Sequence, residues 1–277
     1  MSEIEETRAP VVQPSGGLRS SSVTVFAAGA AVGVLGGMIG LGGAEFRLPL
    51  LIGLFGFVAL QAVIVNKAMS LAVVLTALPA RLVAVPFAAL APHWPVALNL
   101  LAGSLAGAWV GASWATRMRA ATLYKVLAGL LVLMAAALVL THLDGAATAL
   151  DLPGPVQVVA GLVAGFGIGV VAAIMGVAGG ELLIPTIVLL YGIDIKLAGS
   201  LSLAVSLPTM IVAFARYSRD QSFGVLRSNG RFVLVMTAGS IVGTLVGALL
   251  LGVVPDLVLI PALALILLIS AAKVWRH

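Results

Sequence analysis

The chain has 277 residues, of which 61% are hydrophobic and only 9% charged, with a formal net charge of +5 and no cysteine. A soluble domain carries about a quarter of its residues as charges, so this composition excludes an ordinary globular protein and points to an all-α polytopic membrane protein. Disulfides and thiolate chemistry are excluded as well, and the basic residues sit in short loops between apolar runs, which orients a membrane protein and does not make a nucleic-acid surface.

Residues 1–22 are polar and are expected to form a disordered cytoplasmic lead, not a cleaved signal, because apolar segments continue beyond them. About 20 apolar residues cross a bilayer core. On that measure, segments fall near 23–41, 44–58, 64–90, 95–115, 121–142, 156–178, 181–192, 196–216, 230–252 and 255–274. They group into a first transmembrane repeat (23–142), a periplasmic linker (143–155) and a second repeat (156–277).

The grouping rests on self-similarity. GGMIGLGGAEFRLPLL (36–51) aligns with AAIMGVAGGELLIPTI (172–187) at an offset of 136, which matches Gly40, Gly43, Glu45 and Pro49 with Gly176, Gly179, Glu181 and Pro185. SLAV recurs at 70–73 and 202–205, and GSLAGAWVG (103–111) matches GSIVGTLVG (239–247), again at 136. Three blocks in one order indicate duplication.

Loop charges orient the two copies. Arg117, Arg119 and Lys125 follow the fourth segment and mark a cytoplasmic loop, whereas the matching loop of the second copy carries only Asp256. The loop between segments three and four has no Lys or Arg, while its counterpart holds Arg216, Arg219, Arg227 and Arg231. Lys273 and Arg276 place the C-terminus inside. These biases predict two inverted five-segment repeats with both termini cytoplasmic. Each repeat then opens with a broken or re-entrant helical hairpin, since its first two segments must start and end on one side. The short second limbs, 44–58 and 181–192, favour partial penetration. Broken helices meeting near the midplane are a recurrent plan of secondary transporters.

The chemistry of the breaks follows from their residues. GLGGAE and GVAGGE open short helices, and the first amides of a helix have no intrahelical acceptor and favour anions. Backbone at Gly42, Gly43 and Ala44, and at Gly179 and Gly180, is therefore the candidate anion site. Gly103, Gly107 and Gly111 read instead as close helix packing. Glu45 and Glu181 have two readings, capping of the helix start or handling of a proton. Arg47 has no partner in the second copy, where Leu183 stands. It is expected to pair with Glu45 or to snorkel to an interface, a substrate contact being the lesser reading. Asn66 and Lys67 precede Ser70, and the second copy has Ala198 and Gly199 there but adds Ser200 beside Ser202. Lys67 is either an orientation residue or a counter-charge for the anion, and Arg81 is either a gating or attracting charge or a paired one. No serine nucleophile elbow, phosphate loop or paired histidine ligands occur, so neither an enzyme nor a cofactor is expected.

At the two glycine–glutamate–proline blocks and the AGSLSLAV that follows the second, the chain resembles the TauE/SafE family of sulfite exporters, from about residue 24 to the C-terminus. The resemblance implies a bacterial inner-membrane, multi-pass secondary transporter that exports sulfite, thiosulfate or an organosulfonate such as sulfoacetate by alternating access. Its partners are the small anion and the lipid bilayer, and a homo-oligomer is compatible with it. Two competing readings are a passive anion channel and a proton- or cation-coupled carrier that uses Glu45 and Glu181. NKAMS departs from the small-residue pattern of the second copy, and its lysine is a candidate for retuning the substrate.

Overall fold

In lipid, backbone polar groups must be satisfied within the chain, which leaves helices as the economical solution for apolar runs. The computed structural model describes residues 21–39, 43–84, 87–143, 150, 152–250 and 256–276, and every regular element among them is helical. In the first half these are α1 (Ser22–Ile39), α2 (Ala44–Gly53), α3 (Ala59–Ala84), the short α4 (Phe87–Leu90), α5 (Trp94–Arg117) and α6 (Ala120–Leu143). The second half repeats the series as α7 (Gly154–Met175), α8 (Gly180–Tyr191), α9 (Ile195–Tyr217), the short α10 (Gly224–Ser228), α11 (Gly230–Leu249) and α12 (Asp256–Trp275).

Two boundaries differ from expectation for physical reasons. Helix α3 starts at Ala59, not near 64. Hydropathy marks only the part of a helix that meets apolar surroundings, whereas Ala59, Leu60 and Gln61 are good helix formers in any setting. Helix α2 ends at Gly53, not near 58, and the amides of Phe55 and Phe57 turn back onto the carbonyls of Leu50 and Leu51. At 10 and 12 residues, α2 and α8 are roughly 15 and 18 Å long. That is about half of a ~30 Å hydrocarbon core. Among the described residues, six stretches are long and apolar enough to cross a membrane: 59–76, 88–117, 120–139, 154–175, 195–217 and 230–249.

The helices are held by two glycine seams. On α1, Gly29, Gly33 and Gly37 lie against the carbonyls of Met236, Ser240 and Thr244 on α11. Gly239, Gly243 and Gly247 return the contact against Phe26, Ala30 and Val34. The second seam joins α5 to α7: Gly103, Gly107 and Gly111 meet the carbonyls of Leu162, Phe166 and Val170, while Gly165 and Gly169 meet those of Leu100 and Ser104. In each case a carbonyl or its neighbouring atoms occupy the space of a side chain. Such close backbone approach, unavailable to larger residues, is how helices associate where no hydrophobic drive separates them from lipid. Exchanging the halves of the chain maps one seam onto the other, because α5 corresponds to α11 and α7 to α1 in the sequence alignment.

Between the seams lie α3 and α9, which pack on each other and on the opposite half, α3 on α11 and α9 on α5. They are the most enclosed of the long helices, with 67% and 56% of their spans buried. Asn66, Lys67 and Ser70 on α3 and Ser200, Ser202, Ser206 and Thr209 on α9 are accordingly buried in protein. Helices α6 and α12 pack together on one flank, and α2 also leans on α12. At the α5–α9 contact the hydroxyls of Ser104 and Thr209 share a 2.7 Å hydrogen bond, and at its end Arg216 Nε donates to Ser113 Oγ at 2.8 Å. Arg216 and Arg219 both stack on the ring of Trp109, as suits cations and an aromatic at a membrane boundary.

Candidate functional site

Helix α7 ends at Met175, and Gly179 opens α8 after a short break. The aligned Gly43 opens α2. The two glycines share a left-handed backbone, with φ of +70° at Gly43 and +85° at Gly179. That region is costly for any residue with a Cβ, so glycine is needed for the chain to leave the break and enter a helix at once. Within α2 the amides of Phe46 and Arg47 both donate to the Gly43 carbonyl, which leaves those of Ala44 and Glu45 without an intrahelical acceptor. In α8 the amides of Leu182 and Leu183 donate to Gly179, and those of Gly180 and Glu181 are left in the same state.

Gly43→Ala is expected to cost about 1–2 kcal/mol from the left-handed backbone alone. The approach of its Cβ to the Val32 carbonyl adds to this. Reversible unfolding in mixed detergent, compared with the wild type, reads the loss directly.

The two helix starts come together around the middle of α3. Asn66 Nδ2 donates to the carbonyl of Ala44 at 3.0 Å and to that of Met175 at 3.2 Å, so one side chain ties the start of α2 to the end of α7. Lys67 Nζ donates to the carbonyls of Ala172 at 2.8 Å and Val177 at 2.6 Å. It thus caps the C-terminal end of α7, where the helix dipole favours a cation. Tyr217 on α9 donates its hydroxyl to the Ala173 carbonyl at 3.0 Å, closing the same end from the other side.

Two carboxyl groups, one from each half, face this centre. Glu45 and Glu181 are close enough to interact with each other. They lie beside the first-turn amides of their own helices, yet Oε2 of Glu45 and both oxygens of Glu181 form no hydrogen bond of good geometry. Their carboxyl groups also act on these helix starts through the helix dipole.

Of the other residues singled out in the sequence, Ser70 is buried on α3, one turn from Asn66. Ser202 lies in front of Gly180 but donates its hydroxyl back to the Gly199 carbonyl, and Ser200 donates back to Lys196. Gly42 lies outside the described residues. Arg81 belongs to α3, and its side chain lies outside the described residues.

Two further groups were undervalued from the sequence, Arg47 at this centre and Ser206 on α9. Arg47 does not reach an interface, and it interacts electrostatically with Glu45 without closing a hydrogen-bonded ion pair on it. It is 0% exposed, its NH1 reaches Asn66 Oδ1 and Ser70 Oγ only at 3.5 Å, and no ion pair closes on it among the described residues. Ser206, one turn beyond Ser202 on α9, is buried with an unpartnered hydroxyl. Its i, i+4 spacing from Ser202 is a signal that was available in the sequence.

Half-length helices that open on a buried polar centre, enclosed by helices long and apolar enough to cross a membrane, fit a membrane transporter. The chain matches the model of the family described as Sulfite exporter TauE/SafE over residues 25–274, and it belongs to that family. Membership carries the coarse assignment of a membrane transporter for sulfur-containing anions. No curated protein and no solved structure matches the chain.

Proposed function

We propose that the protein exports a small sulfur oxyanion, sulfite or an organosulfonate such as sulfoacetate, across the bacterial inner membrane by alternating access of two inverted repeats. The observation that carries this reading is the convergence of two helix starts on one buried centre, where the first-turn amides of Ala44 and Glu45 and of Gly180 and Glu181 have no intrahelical acceptor. Amides at a helix start favour an anion in front of them, and two such ends contributed by two halves give a site that rocking of the halves can expose to either side. Ser70 and Ser206 add hydroxyls, and Lys67 adds positive potential while holding the end of α7 in place. The loop charges support cytoplasmic termini.

Thermal unfolding of the purified protein with sulfite, thiosulfate, sulfoacetate, taurine and carboxylate controls tests the ligand class. A ligand that binds only the folded state stabilises it by about 2.7 kcal/mol at a hundredfold excess over its Kd. Sulfite or a sulfonate is expected to raise the unfolding temperature, and acetate is not.

The proximity of Glu45 and Glu181 favours a second element, coupling of the anion to a proton. A further negative charge next to two carboxylates is unfavourable in a low-dielectric interior, so an anion enters most readily when a carboxyl takes up a proton. Glu45→Gln and Glu181→Gln are expected to leave anion flux in place while removing the proton movement that accompanies it. Unchanged proton movement in both variants, read with a pH dye inside proteoliposomes, excludes the coupling.

A further inference from the structure

The centre holds two buried cations in different states. Lys67 is occupied, since its ammonium group donates to two carbonyls at 2.8 and 2.6 Å. Arg47 is not. Its side chain is fully enclosed, its NH1 makes two contacts at 3.5 Å, and its Nε and NH2 have no partner. Buried donors left without an acceptor are costly, and a charge kept inside a membrane protein has a functional use by default.

Resting on the anion-transport reading, we propose that the free Nε–NH2 edge of Arg47 is the fork that holds the substrate head group. That edge presents two nearly parallel N–H bonds, matched to two oxygens on one central atom. The ligand class is therefore an oxyanion with at least two oxygens on one sulfur, and a halide, with a single acceptor, is disfavoured. The fork is present once. The aligned position of the second half is Leu183, which is buried at 1% exposure. The head group accordingly sits to the first-half side, in reach of the α2 amides and of Ser70, and the second half presents its own helix start to the remainder of the substrate.

The test compares wild type with Arg47→Leu, which copies the second half, and Arg47→Lys, which keeps the charge but lacks the fork. Thermal unfolding of each purified protein is recorded alone and against sulfite, sulfoacetate and chloride. Wild type is expected to be stabilised by sulfite or sulfoacetate and not by chloride. Arg47→Leu should unfold without ligand at the wild-type temperature or above, with no anion-dependent shift, and Arg47→Lys should need at least tenfold more anion for the same shift. A wild-type-like shift in Arg47→Leu overturns the proposal, and so does wild-type affinity in Arg47→Lys, which decides the matter if the leucine variant does not fold. Absence of any shift in wild type overturns the anion-transport reading itself, and the fork with it.

Discussion

Gly107→Leu and Gly243→Leu are each expected to prevent assembly of the folded protein. A Cβ at Gly107 would fall on the Phe166 carbonyl, and one at Gly243 on the Ala30 carbonyl. Both obstacles are helical backbone, which cannot swing aside as a side chain can. The seam has to open by the width of the new group, and the neighbouring glycine contacts are lost with it. Overpacking a core that can relax costs about 1–3 kcal/mol, and a seam with backbone on both sides should exceed that range. An internal control lies on one of the same helices. Gly167 on α7 has nothing within 4 Å of its added Cβ, whereas Gly169 faces Ser104. Gly167→Ala should therefore gain up to about 1 kcal/mol of helix propensity, while Gly169→Ala should lose stability. Opposite signs in unfolding titrations at positions two residues apart are expected from packing, and equal effects would contradict the seam.

Lys67→Met is expected to be the most damaging of the polar substitutions. It leaves the carbonyl of Val177 without its donor in an enclosed region, takes one donor from that of Ala172, which keeps the Val177 amide, and removes a cation that interacts with Glu181. Leaving a buried polar group without its partner typically costs about 1–3 kcal/mol, and loss of the charge beside Glu181 adds to this. The break between α7 and α8 should loosen, so ligand-free stability and transport fall together. Arg47→Leu, a change of the same type twenty residues earlier, should leave ligand-free stability intact. The pair of variants separates a cation that holds the site together from one that waits for a ligand. If Lys67→Met unfolds at the wild-type temperature, the structural role given to it here is wrong.

What could be read from the sequence was local. The αL glycines, the first-turn glutamates and the half-length helices follow from GLGGAE, GVAGGE and the spacing to the next break. The seam glycines follow from their four-residue spacing on apolar helices. What could not be read depends on partners distant in the chain. Lys67 finds its acceptors 105 and 110 residues away, and Asn66 reaches Met175 across 109. No pattern around NKAMS distinguishes a lysine at a helix end facing water from one enclosed by a second repeat. Arg47 was obscure for a related reason. A charge in the first turns of a short helix is ordinary in a soluble protein, and only the packing of α2 against α3 and α12 shows that it reaches neither water nor headgroups.

The central claim is that two helix starts and their polar surroundings form one saturable anion site, alternately exposed. Counterflow tests it most directly: proteoliposomes loaded with unlabelled sulfite or sulfoacetate are diluted into a trace of the labelled anion. A carrier with such a site transiently accumulates label against its own gradient, and Gly43→Ala should slow or abolish this accumulation. Label that merely equilibrates, at a rate proportional to concentration and without saturation, would contradict the claim and identify a channel.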